Sequence, residues 1–195
     1  MKIAFCIPGR NFTGRFLESW TDLVRYLDST SIDWVLYRRY NPNIYKARQK
    51  CLMAAKEHDP DYYMWIDSDM TFTVEDFKRL LENKDKKIIS GLYLTPAGAT
   101  SADIPIHYAC CYNDNQLLTT GSITNTTNLI SVRANGMGWM LVDKEVFTKL
   151  DRPFDQMYSR DSDDIIFQDK ARQHGYASWV DPKIVVGHEK TLILE

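Results

Sequence analysis

Two carboxylates one residue apart, Asp67 and Asp69, follow a short apolar and aromatic run that begins at Tyr62. Such a run is typical of a buried strand, and ligands of open α/β sheets bind beyond the carboxyl ends of the strands. Two hard oxygen ligands there suit Mg²⁺ or Mn²⁺, and these ions in turn bind diphosphates. The sequence therefore predicts a metal or nucleotide site at this point of the chain.

The same spelling, Asp-x-Asp, occurs at residues 59–61, 67–69 and 161–163. The first lies in a proline turn, where a solvated loop is the simpler interpretation. Only the second follows a strand-like run of apolar residues. The strand-like run before it, and not the Asp-x-Asp motif itself, therefore identifies Asp67-Ser68-Asp69 as the candidate site.

Basic side chains that suit a diphosphate occur in the same half of the chain. An arginine binds phosphate oxygens with a planar fork, and the candidates are Arg10, Arg38, Arg39 and Arg48. Arg38 and Arg39 are neighbours on one predicted strand, so their side chains point oppositely and at most one faces a cleft. Tyr37 and Tyr40 are candidates for stacking on a base, although a core role is the safer interpretation.

Three later groups of residues each have a structural and a functional interpretation. Asp163 and Asp164 begin a predicted helix, where they either cap it or, kept ionised by the helix dipole, act as a general base. His188 follows an apolar run as Asp67 does, and is either a metal ligand or a surface histidine. The turn at residues 136–138 permits close backbone approach to a substrate, and Trp139 beside it is either a platform for a sugar ring or part of the core.

The elements that position these residues follow from apolar spacing. Strand Lys2–Ile7, a helix through Phe16 and Leu27, and strand Asp33–Arg39 begin a parallel α/β sheet. Thr73 and Asp76 form a capping box for a short helix. Further strands are predicted at Lys87–Leu94, Leu129–Ala134, Trp139–Val142 and Ala177–Val186, and helices at Ile44–Glu57, Asp143–Leu150 and from Ser162 to His174. Residues 96–128 are rich in Gly, Ser, Thr and Asn and are expected to form loops or hairpins, where specificity often resides.

The composition bounds the class of protein. A chain of 195 residues fits one domain with a sizeable core. The formal net charge of −2 gives no reason to expect binding to nucleic acid or to anionic membranes. No apolar run approaches the roughly 20 residues that span a bilayer, and the first residues are typical of a strand rather than a signal peptide. We therefore expect a soluble, cytoplasmic protein.

The cysteines agree with that expectation. Cys6, Cys51, Cys110 and Cys111 include no Cys-x-x-Cys pair, and the first two lie in apolar stretches. We interpret all four as buried free thiols in a reducing compartment, and not as zinc ligands or disulfides.

In their order along the chain, several of these pieces resemble a GT-A glycosyltransferase of the family 2 type. The first strand ending at Pro8-Gly9-Arg10 resembles the start of that family's nucleotide site, and Asp67-Ser68-Asp69 resembles its Asp-x-Asp signature. Further resemblances lie at residues 46–52 (its Ala-Arg-Asn-x-Gly-Leu helix), 89–93 and 136–142 (its next two strands), 163–167 (its Glu-Asp-x-x-Phe acid motif) and 187–188 (its late metal-ligand histidine). The match leaves out residues 96–128, and the compactness also resembles small transferases of large DNA viruses, which would place the protein in the host cytoplasm.

The resemblance implies a single GT-A domain, a mainly parallel sheet flanked by helices with a smaller antiparallel portion. Residues 1–94 would bind the nucleotide and residues 95–195 the acceptor. The implied activity is transfer of a sugar, with inversion, from a nucleotide-sugar donor, by family habit a UDP-sugar, to a hydroxyl on a glycan or glycoprotein. The implied cofactor is Mn²⁺ or Mg²⁺.

The resemblance also distributes roles among the residues. Asp69 would be the direct metal ligand, with Asp67 nearer the ribose or the metal's water shell and His188 completing the site. The implied base is Asp164, with Asp163 as the alternative. The donor would contact Pro8, Gly9, Arg10, Arg38, Arg48, Asp67, Ser68 and Lys190, and the acceptor Gly136, Met137 and Trp139. The sequence departs from the family pattern where Gln49, Lys50 and Cys51 replace its Asn and Gly, and where Asp163 replaces its Glu.

Two rival functions belong to other classes. Asp67-Ser68-Asp69-Met70-Thr71 also fits the Asp-x-Asp-x-Thr loop of haloacid-dehalogenase-like phosphohydrolases, in which the first aspartate is the nucleophile. That loop normally follows the first strand, whereas two predicted strands precede it here. The other rival is a carbohydrate- or nucleotide-binding module without turnover, against which the retained acidic pairs argue mildly. A calcium loop is excluded because the glycine and distal Glu of an EF-hand are missing.

Overall fold

Strand β1, Lys2–Pro8, is buried along nearly its whole length, as expected for an interior strand of a parallel sheet covered on both faces. Its side chains alternate between two cores. Ile3 and Phe5 belong to a core that includes residues of helices α1 and α3, whereas Ala4 and Cys6 belong to one that includes residues of helices α2, α4 and α5. The fold is therefore three layers, with a sheet between two layers of helices.

The computed structural model describes residues 1–96, 106–113, 116–117, 127–155 and 162–189. The helices are α1 Gly14–Asp28, α2 Ile44–Lys56, α3 Val74–Glu82, α4 Lys144–Lys149 and α5 Asp163–Gln173, with a 3₁₀ turn at Lys84–Lys86. The strands after β1 are β2 Asp33–Arg39, β3 Tyr62–Ile66, β4 Met70–Thr71, β5 Ile88–Leu92, β6 Leu94–Pro96, β7 Ile106–Tyr108, β8 Cys110–Asn113, β9 Gln116–Leu117, β10 Ile130–Val132, β11 Ala134–Asn135, β12 Trp139–Asp143, β13 Ser178–Val185 and β14 Gly187–His188.

Within these ranges, the main sheet has seven strands in the order β10-β13-β5-β12-β3-β1-β2. Strands β2, β1 and β3 are parallel, β12 runs opposite to both β3 and β5, and β13 is parallel to β5. Five strands thus share one direction, and only β12 and β10 oppose it. A smaller antiparallel sheet, β11-β8-β9, lies beside it, so the predicted fold class is confirmed.

The N-termini of α1 and α3 are both capped by threonine side chains. Thr13 accepts a hydrogen bond from the backbone of Phe16 at 3.1 Å and begins α1. The predicted capping box of α3 is confirmed, because Thr73 and Asp76 exchange hydrogen bonds with each other's backbone N–H groups. The predicted strand Lys87–Leu94 is interrupted at Tyr93, which separates β5 from β6. This interruption places the side chain and carbonyl of Tyr93 at the exit of β5.

Two other expectations concern membranes and thiols. In the described part of the chain, no helix is both long and apolar enough to cross a membrane. Cys6 and Cys51 are buried free thiols, as predicted, and burial raises the pKa of both. The side chains of Cys110 and Cys111 lie outside the described residues.

Candidate functional site

A cavity of about 360 Å³ lies where β1, β2 and β3 end. The carboxyl ends of parallel strands meet at one edge of a sheet, so the chain leaving each strand contributes to the same cleft. The volume is in the range typical of ligand pockets. Its walls are Pro8, Gly9, Arg10, Tyr40, Asn41, Pro42, Ile44, Ala47, Asp67, Ser68, Asp69 and His188.

The floor of this cavity requires a glycine. A Cβ added at Gly9 would lie 2.4 Å from the Ser68 hydroxyl oxygen, so only glycine lets the ends of β1 and β3 approach this closely. Arg10 lies over the ring of Tyr40, with its guanidinium carbon 5.7 Å from the ring centroid. The cavity therefore combines a cation and an aromatic face on one side with the carboxylates of the Asp67-Ser68-Asp69 motif on the other.

His188 contacts Asp69 directly in the wall of the cavity. Strand β14 pairs with β4, and this pairing brings Nε2 of His188 to 3.3 Å from Oδ2 of Asp69. The other ring nitrogen, Nδ1, lies 3.0 Å from the carbonyl oxygen of Leu94. A carbonyl oxygen only accepts, so Nδ1 carries a proton and donates it. In the neutral ring, the lone pair of Nε2 therefore points toward the carboxylate of Asp69.

Two facing acceptors at this distance fit a shared divalent cation. Bonds of about 2.1 Å from one ion to a carboxylate oxygen and an imidazole nitrogen place those atoms about 3.0–3.4 Å apart at ordinary coordination angles. The observed separation of 3.3 Å lies in that interval. Within the described ranges, no group of three or more His, Cys, Asp or Glu side chains is arranged to hold a metal.

Arg48 connects the motif to the acidic pair at the start of α5. Its Nε donates to Oδ2 of Asp163 at 2.6 Å, and its Nη2 lies 3.0 Å from Oδ1 of Asp67. Helix α2 carries Arg48, whose guanidinium carbon lies 5.9 Å from the ring centroid of Trp65, and only 4% of the residue is exposed. Burial lowers the pKa of Arg48, but the carboxylates of Asp67 and Asp163 outweigh burial, and the net pKa is raised. The guanidinium is therefore always charged.

Asp67 is held by this charge without being fully satisfied. Nη2 of Arg48 is closer to Oδ1, yet only Oδ2, at 3.3 Å, has hydrogen-bond geometry. Oδ1 has no hydrogen-bond partner within the described residues although it is buried. Burial raises the pKa of Asp67, and Arg48 only partly opposes this. An incompletely satisfied carboxylate beside Asp69 is suited to accept from a ligand or from metal-bound water.

Asp164 has surroundings different from those of Asp163. Oδ1 of Asp164 accepts from the Ser162 hydroxyl and from the backbone N–H of Ile165. Burial raises the pKa of Asp164, and the charge of Asp163 adds to this. The carboxylate of Asp163, by contrast, is ion-paired to Arg48 and 5% of the residue is exposed. Of the two acids, Asp164 therefore has the carboxylate that is not neutralised by a direct ion pair within the described part of the chain.

Gln168 fixes the start of α5 against the sheet. Its Nε2 donates to the carbonyl of Asn135 at 2.6 Å and to that of Asp164 at 3.0 Å, and its Oε1 accepts from the backbone of Asn135 at 3.0 Å. Gln168 is fully buried. The side-chain amide of Gln168 thus makes three hydrogen bonds, and these hold the backbone of Asp164 in place relative to β11.

Sequence reasoning missed Tyr93. Its side chain is buried at the exit of β5, its hydroxyl accepts from the backbone of Gly138 at 3.2 Å, and its ring meets that of His188 edge to face. Burial raises the pKa of Tyr93, with the charges of Asp67 and Asp164 adding to the effect, so the phenol is neutral. The signal was available, because Tyr93 follows an apolar strand as Asp67 does.

Several residues predicted for the site lie elsewhere. Arg38 is exposed, lies over the ring of Phe12 at 5.8 Å, and does not line the cavity. Arg48 contacts carboxylates rather than an open surface. Lys190 lies outside the described residues. The predicted site residues that line the cavity together are Pro8, Gly9, Arg10, Asp67, Ser68, Asp69 and His188.

The predicted acceptor residues are interior. Trp139 is fully buried and stacks on Phe72 with ring centroids 4.4 Å apart, which corrects its interpretation as a sugar platform. Met137 is also fully buried. A Cβ added at Gly136 would lie 1.9 Å from the hydroxyl of Tyr93, so this glycine makes room for a protein side chain and not for a substrate.

A second cavity, of about 530 Å³, lies between α2 and residues 150–155. Its walls combine basic, acidic and apolar side chains, among them Lys46, Lys56, Arg152, Asp155, Met53 and Phe154. It contains none of the carboxylates of the Asp67-Ser68-Asp69 motif or of α5, and its larger size does not make it the better candidate. The carboxylates of the Asp67-Ser68-Asp69 motif line the smaller cavity instead.

Comparison of the sequence with protein-family models and with curated proteins finds no match. Among solved structures, 203 chains match. The crystal structure of A197 from STIV matches with a TM-score of 0.61 and 14% identity, over 100% of this chain and 97% of that chain. GalNAc-T7, crystallised with UDP, GalNAc and Mn²⁺, matches with a TM-score of 0.59 and 15% identity, over 98% of this chain.

The present chain spans 44% of the GalNAc-T7 chain that it matches, so the likeness covers less than half of that protein. At these identities the comparisons show the fold alone. They establish that the chain has a GT-A-like fold, in agreement with the sheet order and with the position of the cavity.

Proposed function

We propose that the protein is a metal-dependent glycosyltransferase that moves a sugar from a nucleotide-sugar donor, a UDP-sugar by preference, to a hydroxyl of a glycan or glycoprotein, with inversion. One observation carries the proposal. On a GT-A-like fold, the ends of β1 and β3 and the late histidine His188 converge on one cavity that contains Asp67, Ser68 and Asp69. GalNAc-T7, a neighbour in fold, was crystallised with UDP and Mn²⁺.

In this proposal, Asp69 and His188 hold the Mn²⁺ or Mg²⁺ ion, and Asp67 contacts its water shell or the ribose. Mg²⁺ and similar ions are bound by one or two protein ligands together with substrate phosphates, which suits a pair of ligands 3.3 Å apart. A bound cation supplies Lewis-acid stabilisation of the charge that develops on the leaving diphosphate.

The donor occupies the cavity of about 360 Å³. Arg10 offers a fork to phosphate oxygens, and the backbone at Pro8 and Gly9 forms the floor beneath them. Ser68 lies against Gly9 and offers a hydroxyl at the same place. Lys190, two residues beyond His188, is assigned to the phosphates as well. Arg48 supports this site indirectly, by holding Asp67.

The general base is assigned to Asp164. Proton transfer from an acceptor hydroxyl requires a carboxylate that is ionised yet basic, and burial raises the pKa of Asp164 in that direction. Asp163 is neutralised by Arg48 at 2.6 Å and serves to orient the start of α5. The acceptor is therefore assigned to the side of residues 95–195 and the donor to the side of residues 1–94, with His188 and Lys190 reaching the donor from the later part of the chain.

The test is incubation with Mn²⁺ and a panel of sugar nucleotides, with release of the nucleoside diphosphate as readout. We expect release that needs the metal and is lost in Asp69→Ala. Asp59→Ala is the matched control, since Asp59 belongs to an identical Asp-x-Asp spelling and its side chain is 87% exposed. This control is expected to behave as the wild type.

Other results would overturn the proposal. Release of phosphate from phosphomonoesters, with a phosphoryl group trapped on Asp67, would identify a phosphohydrolase. Binding of a sugar nucleotide without turnover under any metal would identify a binding module.

A further inference from the structure

Tyr93 and Leu94 are consecutive residues, and both contact His188. The ring of Tyr93 meets the imidazole edge to face, with centroids 5.1 Å apart and planes at 78°. The carbonyl of Leu94 accepts from Nδ1 of His188 at 3.0 Å. One contact fixes the tilt of the imidazole and the other fixes its tautomer, and together they aim Nε2 at Asp69.

Tyr93 is itself held from its far end. Its hydroxyl accepts from the backbone N–H of Gly138 at 3.2 Å. Its own carbonyl accepts from Ala109 at 3.0 Å. Two glycines leave the space that the ring occupies, because a Cβ would lie 1.9 Å from the hydroxyl at Gly136 and 3.0 Å from the ring at Gly138. The phenol is therefore clamped by the turn before β12.

We propose that Tyr93 is a positioning residue for the metal site, and that Gly136 is small in order to admit it. This inference rests on the proposed function, because it takes His188 as a metal ligand. Side chains that orient a metal-binding histidine typically change metal affinity by 10–100-fold when they are replaced. Tyr93 does not contact the ion. It acts through the direction of the imidazole.

The test measures binding of Mn²⁺ alone, by the electron paramagnetic resonance signal of the free ion, so that it needs no substrate. We expect Tyr93→Leu to weaken Mn²⁺ binding about tenfold. Tyr93→Phe keeps the ring against His188 and loses only the hydroxyl, so most of the affinity should return. Recovery in Tyr93→Phe assigns the effect to the ring rather than to the hydroxyl, and a control variant separates it from a general loss of stability.

Tyr63→Leu is the matched control. Tyr63 is also buried, but it belongs to the other core, where it packs edge to face against Phe147. Its replacement should lower the unfolding midpoint as much as Tyr93→Leu does, without changing Mn²⁺ affinity. Equal losses of Mn²⁺ affinity in the two variants would overturn the inference.

A second variant tests the contact between Tyr93 and Gly136 by changing the glycine. Gly136→Ala should displace the Tyr93 hydroxyl and weaken Mn²⁺ binding, whereas Gly14→Ala, where a Cβ meets nothing within 4 Å, should not. In the Tyr93→Leu background, Gly136→Ala should add less than about a twofold change, because coupled sites are not additive. Fully additive losses would show that Gly136 acts independently of Tyr93 and would overturn that part of the inference.

The two proposals fail in different ways. If His188→Ala leaves Mn²⁺ affinity unchanged, the assignment of His188 as a ligand is wrong, and the role of Tyr93 is overturned with it. If His188→Ala abolishes binding while Tyr93→Leu retains full affinity, only the role of Tyr93 is overturned.

Discussion

At the scale of single residues, two adjacent aspartates have different environments. Asp163 is ion-paired to a buried arginine, whereas Asp164 accepts from Ser162 and Ile165. The guanidinium of Arg48 therefore occupies the carboxylate of Asp163, whereas Asp164 has no direct ion pair within the described residues. The difference between neighbours that share one helix turn is therefore set by which of them reaches Arg48.

This difference predicts separate effects on transfer. Asp164→Asn removes the proton acceptor and should lower kcat by roughly 10²–10⁴-fold with little change in KM for the donor. Asp163→Asn removes an orienting carboxylate and should lower kcat less. The measurement is steady-state transfer to acceptor by both variants. Full transfer by both would show that neither acid is the base.

The raised pKa of Asp164 also predicts a dependence of stability on pH. A folded-state pKa above the unfolded value of about 3.9 means that Asp164 is most favourable to folding when protonated. That contribution is complete below the unfolded pKa and is lost as pH rises through the raised folded pKa. Asp164→Asn, which stays neutral, should therefore gain stability relative to the wild type as pH rises from about 4 to about 7.

Urea denaturation of both proteins at several pH values measures this difference. Asp22→Asn, in an exposed part of α1, is the control and should show no such trend. If the advantage of Asp164→Asn over the wild type shrinks as pH rises, the pKa of Asp164 is lowered by folding and not raised. We expect Asp164→Asn to lose activity while gaining stability, as is typical where a carboxylate is retained for chemistry.

At the scale of elements, the start of α5 is held by Gln168. Replacing it with Met keeps the approximate volume but leaves the buried N–H and C=O of Asn135 without these partners. We expect a loss of about 2–4 kcal/mol in unfolding free energy, since two buried groups lose hydrogen bonds. Because the same amide holds the carbonyl of Asp164, kcat should fall as well.

The control for this variant lies on the same helix. Gln173 is exposed near the end of α5, so Gln173→Met should change stability by no more than a few tenths of a kcal/mol. Urea denaturation and steady-state kinetics on both variants provide the measurement. Equal stability of the two variants would mean that Gln168 does not anchor the helix.

Some of these elements are predictable from the sequence and others are not. The exit of β3 and the capping box of α3 follow from local patterns, because burial and capping depend on neighbours within a few residues. The bridge from Arg48 to Asp163 joins residues 115 positions apart. No local pattern encodes such a contact, and for this reason the sequence alone assigns Arg48 to the donor.

Trp139 and Gly136 illustrate a second limit of sequence reasoning. Both belong to a turn and strand whose sequence is compatible with either a substrate surface or a packed interior. The choice depends on what lies opposite, which is Phe72 for the tryptophan and Tyr93 for the glycine. Those partners come from distant parts of the chain, so only the assembled sheet decides it.

At the scale of the whole molecule, residues 1–94 and residues 95–195 are interleaved in one sheet. Strand β12 belongs to residues 95–195, yet it lies between β3 and β5, which belong to residues 1–94. Leu141, for example, pairs with Met64 on one side and with Ile89 on the other. A functional division at residue 94 is therefore compatible with the fold, but it does not separate two folding units.

This interleaving predicts the behaviour of fragments. A chain of residues 1–94 lacks both β12 and β13, so β3 would expose one unpaired edge and β5 two. We expect the fragment to show no cooperative unfolding in urea by circular dichroism. Refolding it together with residues 95–195 should restore a cooperative transition, because β12 and β13 then pair with these edges. Cooperative unfolding of residues 1–94 alone would show instead that β1, β2 and β3 with their helices form an independent unit, to which residues 95–195 are added.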